Sequence, residues 1–176
     1  YALMRSFPNT LIASPSNNEE VEITIDYLLK NPQPSYLRLD KSLELSCNKK
    51  IKIIKPGRRV YYKKENRNKK LILSTGSVFK SCRNLIKKKY KDYDWATLPL
   101  WGMKFKDYQF KKIKKYNKII TIENHLQDGG FGSWLGESLT KRESKIKTKI
   151  LSKFLSEKVI GKVGSEDYLN SRFGFN

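Results

Sequence analysis

The sequence predicts an α/β fold whose sheet is mostly parallel. Short apolar runs typical of buried strands alternate along the chain with longer segments whose apolar residues recur at helical spacing. Gly, Pro, Ser and Asn residues, which favour turns, separate the two kinds of segment. Such alternation is typical of βαβ units, in which a helix connects two parallel strands.

Two strands with a helix between them are predicted near the N-terminus. Residues 10–14 form a short apolar run, and residues 15–17 (Pro-Ser-Asn) then turn the chain. Two glutamates at residues 19–20 favour a helix start, because carboxylates stabilise the first turn of a helix. We expect that helix to run to about Lys30 and a second strand to follow at residues 35–39.

A polar connector divides the chain. The hydrophobic pattern thins over residues 41–70, where we expect an exposed hairpin around residues 59–62. We therefore expect residues 1–45 to end one domain, residues 46–70 to act as a linker, and residues 71–176 to form a second domain.

The second domain continues the alternation. In order, it is predicted to contain a strand at residues 71–74, a helix to about residue 89, a strand at 94–98, a helix at 107–116, a strand at 118–123 and a helix at 131–140. Residues 147–151 fit a strand, but the apolar residues around them also fit a helix, so local pattern leaves both open. A last helix has Ser165 as its N-cap and Gly174 just past its end.

The composition excludes several classes of protein. The chain has 176 residues, a net charge of +20 and 38% hydrophobic residues, without an apolar run near the roughly 20 residues that span a bilayer. Cys47 and Cys82 stand apart from each other and from any second histidine, which argues against a CxxC pair or a zinc site. We expect two structural thiols and a cytoplasmic protein.

The basic excess raises the question of nucleic acid. Aromatic residues alternate with lysines in KKYKDYDW and KDYQFKKIKKYNK, a combination that can bind a nucleic-acid strand. However, Phe110, Ile113 and Tyr116 recur at helical spacing, which is typical of a stripe facing the core. The core interpretation is the stronger one, so we do not expect nucleic-acid binding to be the main role.

Four motifs resemble the transketolase family and together span essentially the whole chain. The first, MRSFPNTLIASPSNNEEVEITIDYLLKNPQPSYLRLDK, resembles the end of the family's pyrimidine-binding domain. The other three, LILSTGSVFKSC, KIITIENHLQDGGFGSWLGESL and VGSEDYLNSRFGF, resemble its C-terminal domain. The resemblance implies a three-layer α/β C-terminal domain preceded by part of an α/β pyrimidine-binding domain.

The resemblance also implies a function. Enzymes of this family use thiamine diphosphate and magnesium to transfer a two-carbon ketol unit between sugar phosphates, and they work as dimers. In the family, the metal-binding motif and the activating glutamate lie upstream of the point that matches Met4, and this chain opens with Tyr1. We therefore expect a fragment, or one piece of a divided enzyme, that alone neither binds the cofactor nor turns over a ketose. Its partner would be a second copy or a companion N-terminal subunit.

Arg38 is the one active-site residue that the resemblance transfers. In SYLRLDK it matches the arginine with which such enzymes hold the terminal phosphate of the substrate, a task that suits the bidentate guanidinium. The alternative is an ion pair with Asp40 or Glu44 at the surface.

The loop that follows residues 118–123 contains the single histidine of the chain and three glycines. His125 could carry a proton near the cofactor, but a loop residue at a subunit or domain interface is the favoured interpretation. Gly129, Gly130 and Gly132 lack the spacing of a dinucleotide fingerprint, so close packing accounts for them better than phosphate binding.

Two other functions stay open. The same architecture occurs in deoxyxylulose phosphate synthases and in the beta subunits of 2-oxo acid dehydrogenases. A noncatalytic module for dimerisation or subunit contact is the alternative from another class.

Overall fold

The computed structural model describes residues 1–40, 50–65, 69–140 and 147–174. Residues 41–49 lie outside the described residues. They begin the predicted connector and include Glu44 and Cys47. Within the described ranges, no helix is both long enough and apolar enough to cross a bilayer.

Helices and strands alternate along much of the chain, as the sequence predicts. The helices are α1 (Ala2–Arg5), α2 (Asn18–Lys30), α3 (Phe79–Lys88), α4 (Lys106–Ile113), α5 (Phe131–Thr140) and α6 (Glu166–Phe173). The strands are β1 (Leu11–Ala13), β2 (Ser35–Leu37), β3 (Val60–Lys63), β4 (Lys70–Thr75), β5 (Asp94–Thr97), β6 (Leu100–Trp101), β7 (Lys118–Glu123) and β8 (Lys149–Lys153).

The larger sheet has five strands in the order β3-β5-β4-β7-β8. The last four of these strands are parallel to one another. The edge strand β3 is antiparallel to β5. This confirms the predicted α/β fold with a mostly parallel sheet. Pairing with β7 also decides between the two interpretations of residues 147–151, because Ile150 lies opposite Ile119 in the strand β8.

Helices cover both faces of this sheet. Leu71 and Leu73 of β4 pack in a cluster with residues of α4 and α5, whereas Ile72 packs in a second cluster with residues of α3. Side chains alternate between the faces of a strand, so one strand supplies both clusters. The predicted three-layer arrangement is therefore confirmed.

Three of the aromatic and aliphatic residues between the lysines in and just after α4 belong to the core, whereas Tyr108 is 38% exposed. Phe110, Ile113 and Tyr116 are 2%, 0% and 6% exposed. Cys82 on α3 is likewise buried, and burial raises the pKa of its thiol to about 12, as expected for a structural cysteine.

The segment predicted as an exposed hairpin forms the edge strand β3 instead. Val60 lies opposite Thr97 and Tyr61 opposite Ala96, and the register shifts between Tyr61 and Lys63. The prediction of a local hairpin is wrong because β3 pairs with a strand that is distant in sequence, which a local pattern cannot reveal.

A smaller sheet connects the N-terminal segment to the rest of the chain. Its order is β2-β1-β6, with β1 parallel to β2 and antiparallel to β6. The sequence did not predict β6, which has two residues, or α1, which has four. Arg5 ties α1 to α5 by donating hydrogen bonds to the carbonyl of Gly130 at 3.0 Å and to the carboxylate of Glu137.

The start of α2 combines a side-chain cap with a buried acid. The side chain of Asn17 accepts a hydrogen bond from the backbone N–H of Glu20 at 3.0 Å. The Glu20 side chain is fully buried and accepts hydrogen bonds from the Tyr62 hydroxyl at 2.7 Å and from Thr97. Burial raises the pKa of Glu20, although these bonds oppose the shift. Glu20 thus links α2 to β3 and β5.

Candidate functional site

The carboxyl ends of strands from both sheets meet at one place. Arg38 follows β2, Ser77 follows β4 and Asn124 follows β7. The backbone N–H of Gly76 donates to the carbonyl of Ser14 at 3.0 Å, which joins the end of β4 to the end of β1. In α/β proteins, ligands bind outside the carboxyl ends of parallel strands.

The carboxylate of Asp40 connects these strand ends. One oxygen accepts from Arg38 Nη2 at 3.3 Å, and the other accepts from Ser77 Oγ at 2.8 Å and from Asn124 Nδ2 at 2.9 Å. Asn124 Nδ2 also donates to Ser77 Oγ at 2.7 Å. Four side chains from three strand ends therefore form one hydrogen-bonded cluster, which we call the Asp40 cluster.

Several contacts fix the guanidinium of Arg38, but they do not use all of its N–H groups. Its Nη2 also donates to the carbonyl of Asn124 at 3.2 Å, and its guanidinium carbon lies 5.0 Å from the centre of the Tyr1 ring. Its Nη1 is buried and has no hydrogen-bond partner among the described residues. The predicted ion pair with Asp40 is present, but the Arg38 side chain is only 23% exposed, so the pair does not lie on an open surface.

The Asp40 cluster opens into a cavity of about 640 Å³. Three polar residues of the cluster, Arg38, Asp40 and Asn124, form one wall. The opposite wall comes from the C-terminal segment and consists of Leu155, Val159, Gly164, Ser165, Glu166, Leu169 and Asn170. Among these lining residues Arg38 is the one cation, and Asp40 and Glu166 are acids. A cavity of this size can hold a small molecule, with Arg38 as the contact for an anionic group.

His125 lies beside this cavity and is not among the residues that line it. Its ring stacks on Tyr1 with the centroids 5.1 Å apart, and its Nδ1 donates to the carbonyl of Leu126 at 2.9 Å. Burial lowers the pKa of His125, with Arg38 acting in the same direction, so the surroundings disfavour the charged form of the ring. These contacts fix the ring against Tyr1.

Glu123 has a role that the sequence analysis missed. Its carboxylate accepts hydrogen bonds from the backbone N–H groups of Phe131 at 2.6 Å and Gly132 at 2.7 Å. It thereby caps the start of α5 and occupies the amides that could otherwise bind a phosphate. A carboxylate eight residues before the helix has no local capping signature, so only the fold brings it there.

The glycines of this loop allow close packing. A Cβ on Gly130 would lie 2.4 Å from Glu123 Oε2, and a Cβ on Gly132 would lie 2.4 Å from Ser152 Oγ. Gly129 has a φ of +68°, which favours glycine, and a Cβ there would overlap Ala2. The geometry thus agrees with the interpretation of these glycines as packing residues.

The described residues do not fit a magnesium diphosphate site. Among them, no group of three or more His, Cys, Asp or Glu side chains could hold a metal ion. The acids that line the cavity, Asp40 and Glu166, both accept hydrogen bonds from Ser77 Oγ, and Glu123 accepts from the backbone N–H groups of α5. We therefore assign no step of a cofactor reaction to these residues.

Two curated proteins match the sequence. A 1-deoxy-D-xylulose-5-phosphate synthase from Halothermothrix orenii is 28% identical over 170 residues, which covers 85% of this chain and 24% of that protein. A subunit of an apulose-4-phosphate transketolase from Actinobacillus succinogenes is 27% identical over 150 residues, which covers 84% of this chain and 48% of that protein. The chain thus spans less than half the length of either relative. No protein-family model matches it.

Two solved structures share the fold. A split-gene transketolase, described as an inactive beta4 tetramer, superposes with a TM-score of 0.80 at 18% identity and covers 99% of this chain and 56% of that one. A transketolase from Campylobacter jejuni superposes with a TM-score of 0.68 at 18% identity and covers 99% of this chain and 26% of that one. The chain therefore has a transketolase fold and resembles the transketolase family, as its motifs predict.

Proposed function

We propose that the chain is the C-terminal portion of a cytoplasmic, transketolase-like enzyme that transfers a two-carbon ketol unit between sugar phosphates. The proposed domain division is the end of a pyrimidine-binding domain at residues 1–45, a linker at residues 46–70, of which β3 joins the larger sheet, and a C-terminal domain at residues 71–176. The fold and both curated relatives support the assignment to a transketolase-like enzyme.

The observation that carries the proposal is the placement of Arg38. Its guanidinium lies at the wall of the 640 Å³ cavity and is the one cation among the residues that line it. A phosphate oxygen that enters the cavity would form a charge-assisted contact with the exposed part of this side chain. Arg38 is therefore our candidate for binding the terminal phosphate of the sugar.

The other residues of the site have supporting roles in this proposal. Asp40 and the carbonyl of Asn124 orient Arg38, and His125 packs at the loop beside it. Thiamine diphosphate with magnesium would supply the carbanion chemistry of the assembled enzyme, bound by motifs that these residues do not contain. The neighbour described as an inactive tetramer supports the proposal that this chain is inactive alone and needs a companion N-terminal portion or a second copy.

The substitution Arg38→Ala in the assembled enzyme tests the proposal. We expect the KM for a phosphorylated ketose to rise about 10- to 100-fold, because a charge-assisted hydrogen bond to phosphate is lost. The KM for the matching unphosphorylated ketose should change little. Asp40 keeps its bonds to Ser77 and Asn124, so the Asp40 cluster should persist.

Two further variants control this experiment. Arg38→Lys should restore part of the phosphate preference because it keeps the charge. Lys87→Ala removes an exposed cation from α3 and should leave both KM values unchanged. Equal changes for phosphorylated and unphosphorylated sugars in Arg38→Ala would contradict the assigned role.

A second candidate activity is that of a deoxyxylulose phosphate synthase, which the match to the Halothermothrix orenii protein favours. A 2-oxo acid dehydrogenase beta subunit and a noncatalytic module for contact between subunits stay open as hypotheses. The product formed by the assembled enzyme distinguishes the synthase from the ketol transferase.

A further inference from the structure

A second pocket lies between the edge strand β3 and helix α4. Its volume is about 240 Å³, and it shares no lining residue with the cavity beside Arg38. Its walls consist of Arg58, Arg59, Tyr61, Lys64, Tyr108, Lys112, Lys115 and Tyr116. The pocket forms because β3 pairs with β5 at the edge of the larger sheet, and Arg59, which precedes β3, donates to Gln109 of α4.

The pocket carries an uncompensated positive charge. Five of its eight lining side chains are Arg or Lys, and none is Asp or Glu. Of the described carboxylates, none forms an ion pair with these five cations; Glu65, the nearest in sequence, pairs with Lys63. Lys64 and Lys112 lie 5.1 Å and 5.3 Å from the centres of the Tyr61 and Tyr108 rings, contacts that do not neutralise charge.

Arg59 is fixed in the wall of this pocket. Its Nε and Nη2 donate to Gln109 Oε1 at 3.2 Å and 3.1 Å, and its guanidinium carbon lies 5.9 Å from the centre of the Tyr116 ring. Gln109 is itself fully buried and donates to the carbonyl of Gly57. The remaining nitrogen of Arg59, Nη1, is buried without a hydrogen-bond partner among the described residues. Because Nη1 is shut off from the pocket, it is the fixed positive charge of this rigid guanidinium, and not this donor, that favours an anion.

The acids near the pocket do not face its cations. Asp94 lies behind Tyr116 and accepts its hydroxyl at 3.1 Å, and it also accepts the backbone N–H of Glu65 at 2.9 Å. Asp107 is exposed in the first turn of α4 and does not line the pocket. Solvent and salt weaken the mutual repulsion of the five cations, and no carboxylate of the described residues lines the pocket to offset what remains.

We propose that the pocket of Arg58, Arg59, Lys64, Lys112 and Lys115 binds a small molecule that carries two phosphoryl groups. Five cations match the charge of such a ligand better than that of a single phosphate. The volume lies below the roughly 300–1,000 Å³ of pockets for drug-sized ligands, so the phosphoryl groups fill most of it. A nucleic-acid strand fits less well, because it needs exposed rings for stacking. Tyr116 is only 6% exposed, and although Tyr108 is 38% exposed, Lys112 lies over its ring.

Calorimetry of the chain with inorganic pyrophosphate at about 0.15 M salt tests this proposal, since distant surface charges are screened there. We expect pyrophosphate to bind about tenfold or more tightly than inorganic phosphate. Fructose 1,6-bisphosphate and ADP serve as further probes: tighter binding of the first points to a sugar bisphosphate as the natural ligand, and tighter binding of the second points to a nucleotide.

Variants distinguish binding in the pocket from non-specific attraction to the basic surface. The double substitution Lys112→Gln/Lys115→Gln lies at the pocket rim and should weaken pyrophosphate binding about tenfold, and Arg59→Gln should weaken it at least as much. The matched control is Lys87→Gln/Lys88→Gln on α3, which removes the same charge outside the pocket and should change binding less than about twofold.

Three results would overturn the proposal: no pyrophosphate binding at that salt concentration, an equal loss in the control, or tighter binding of a single-stranded oligonucleotide. None of them would affect the role proposed for Arg38, because the two sites share no residue.

Discussion

Arg38 illustrates what a single residue's sequence context can predict. Its place at the end of a strand follows from the alternation of elements, and its proposed role follows from the family resemblance. The hydrogen-bond partners of Arg38 cannot be predicted from its sequence context. Asn124 and Ser77 reach Asp40 only because the ends of three strands meet, and the sequence alone does not fix the order of strands in a sheet.

The glycines of α5 provide a direct test at the residue scale. In Gly132→Ala, the new Cβ would lie 2.4 Å from Ser152 Oγ and 2.7 Å from Thr121 Oγ1, so the chain must rearrange. We expect a loss of about 1–3 kcal/mol in the free energy of unfolding, as for other overpacked sites. Urea denaturation measures this difference.

Gly136 is the matched control in the same helix. A Cβ there meets no atom within 4 Å, and alanine favours helix over glycine by up to about 1 kcal/mol. Gly136→Ala should therefore leave the free energy of unfolding unchanged or raise it. A similar loss in both variants would show that Gly132 is not a packing residue.

At the scale of elements, α5 depends on a carboxylate from the neighbouring strand. Glu123, at the end of β7, caps the first turn of α5 through two backbone N–H groups. Local patterns predicted both elements but not this link between them. The same holds for β3 and for Glu20, whose partners Tyr62 and Thr97 are far away in sequence.

The titration of Glu123 gives this link a pH dependence. Burial raises its pKa to about 7, although the N–H groups of Gly132 and Phe131 and the charge of Arg5 oppose the shift. The folded chain then binds this proton more tightly than the unfolded chain, for which the ordinary pKa is 4.5. The free energy of unfolding should therefore fall as the pH rises from about 4.5 to 7, by up to about 3 kcal/mol from this group.

The variant Glu123→Gln isolates this effect. Glu20 also has a pKa raised by burial, so the total slope contains more than one group. Urea denaturation at pH 5 and pH 8 gives the change in the free energy of unfolding for each protein. The difference between the two changes is due to Glu123. We expect Glu123→Gln to lose less stability than the original chain over this interval, and equal losses would contradict the assignment.

At the scale of the whole molecule, the sequence predicted the α/β class, the parallel sheet and the three layers. It could not predict β6 or the edge position of β3, because both depend on pairing between distant segments. The strand β6 joins the N-terminal segment to the later part of the chain by pairing with β1, and β3 contributes Tyr61 to the anion pocket. One of the least predictable elements thus shapes a site proposed for this chain.

The central claim is that this chain completes a ketol-transferring enzyme. The decisive measurement is the rate of ketol transfer, with identification of the product, when the chain is titrated into a companion polypeptide that carries the cofactor motifs, encoded upstream or in a neighbouring frame. We predict that neither polypeptide alone is active, and that the rate with thiamine diphosphate and magnesium rises with added chain until the two are equimolar. A rate that does not depend on the chain, or a product that is 1-deoxy-D-xylulose 5-phosphate, would contradict the claim.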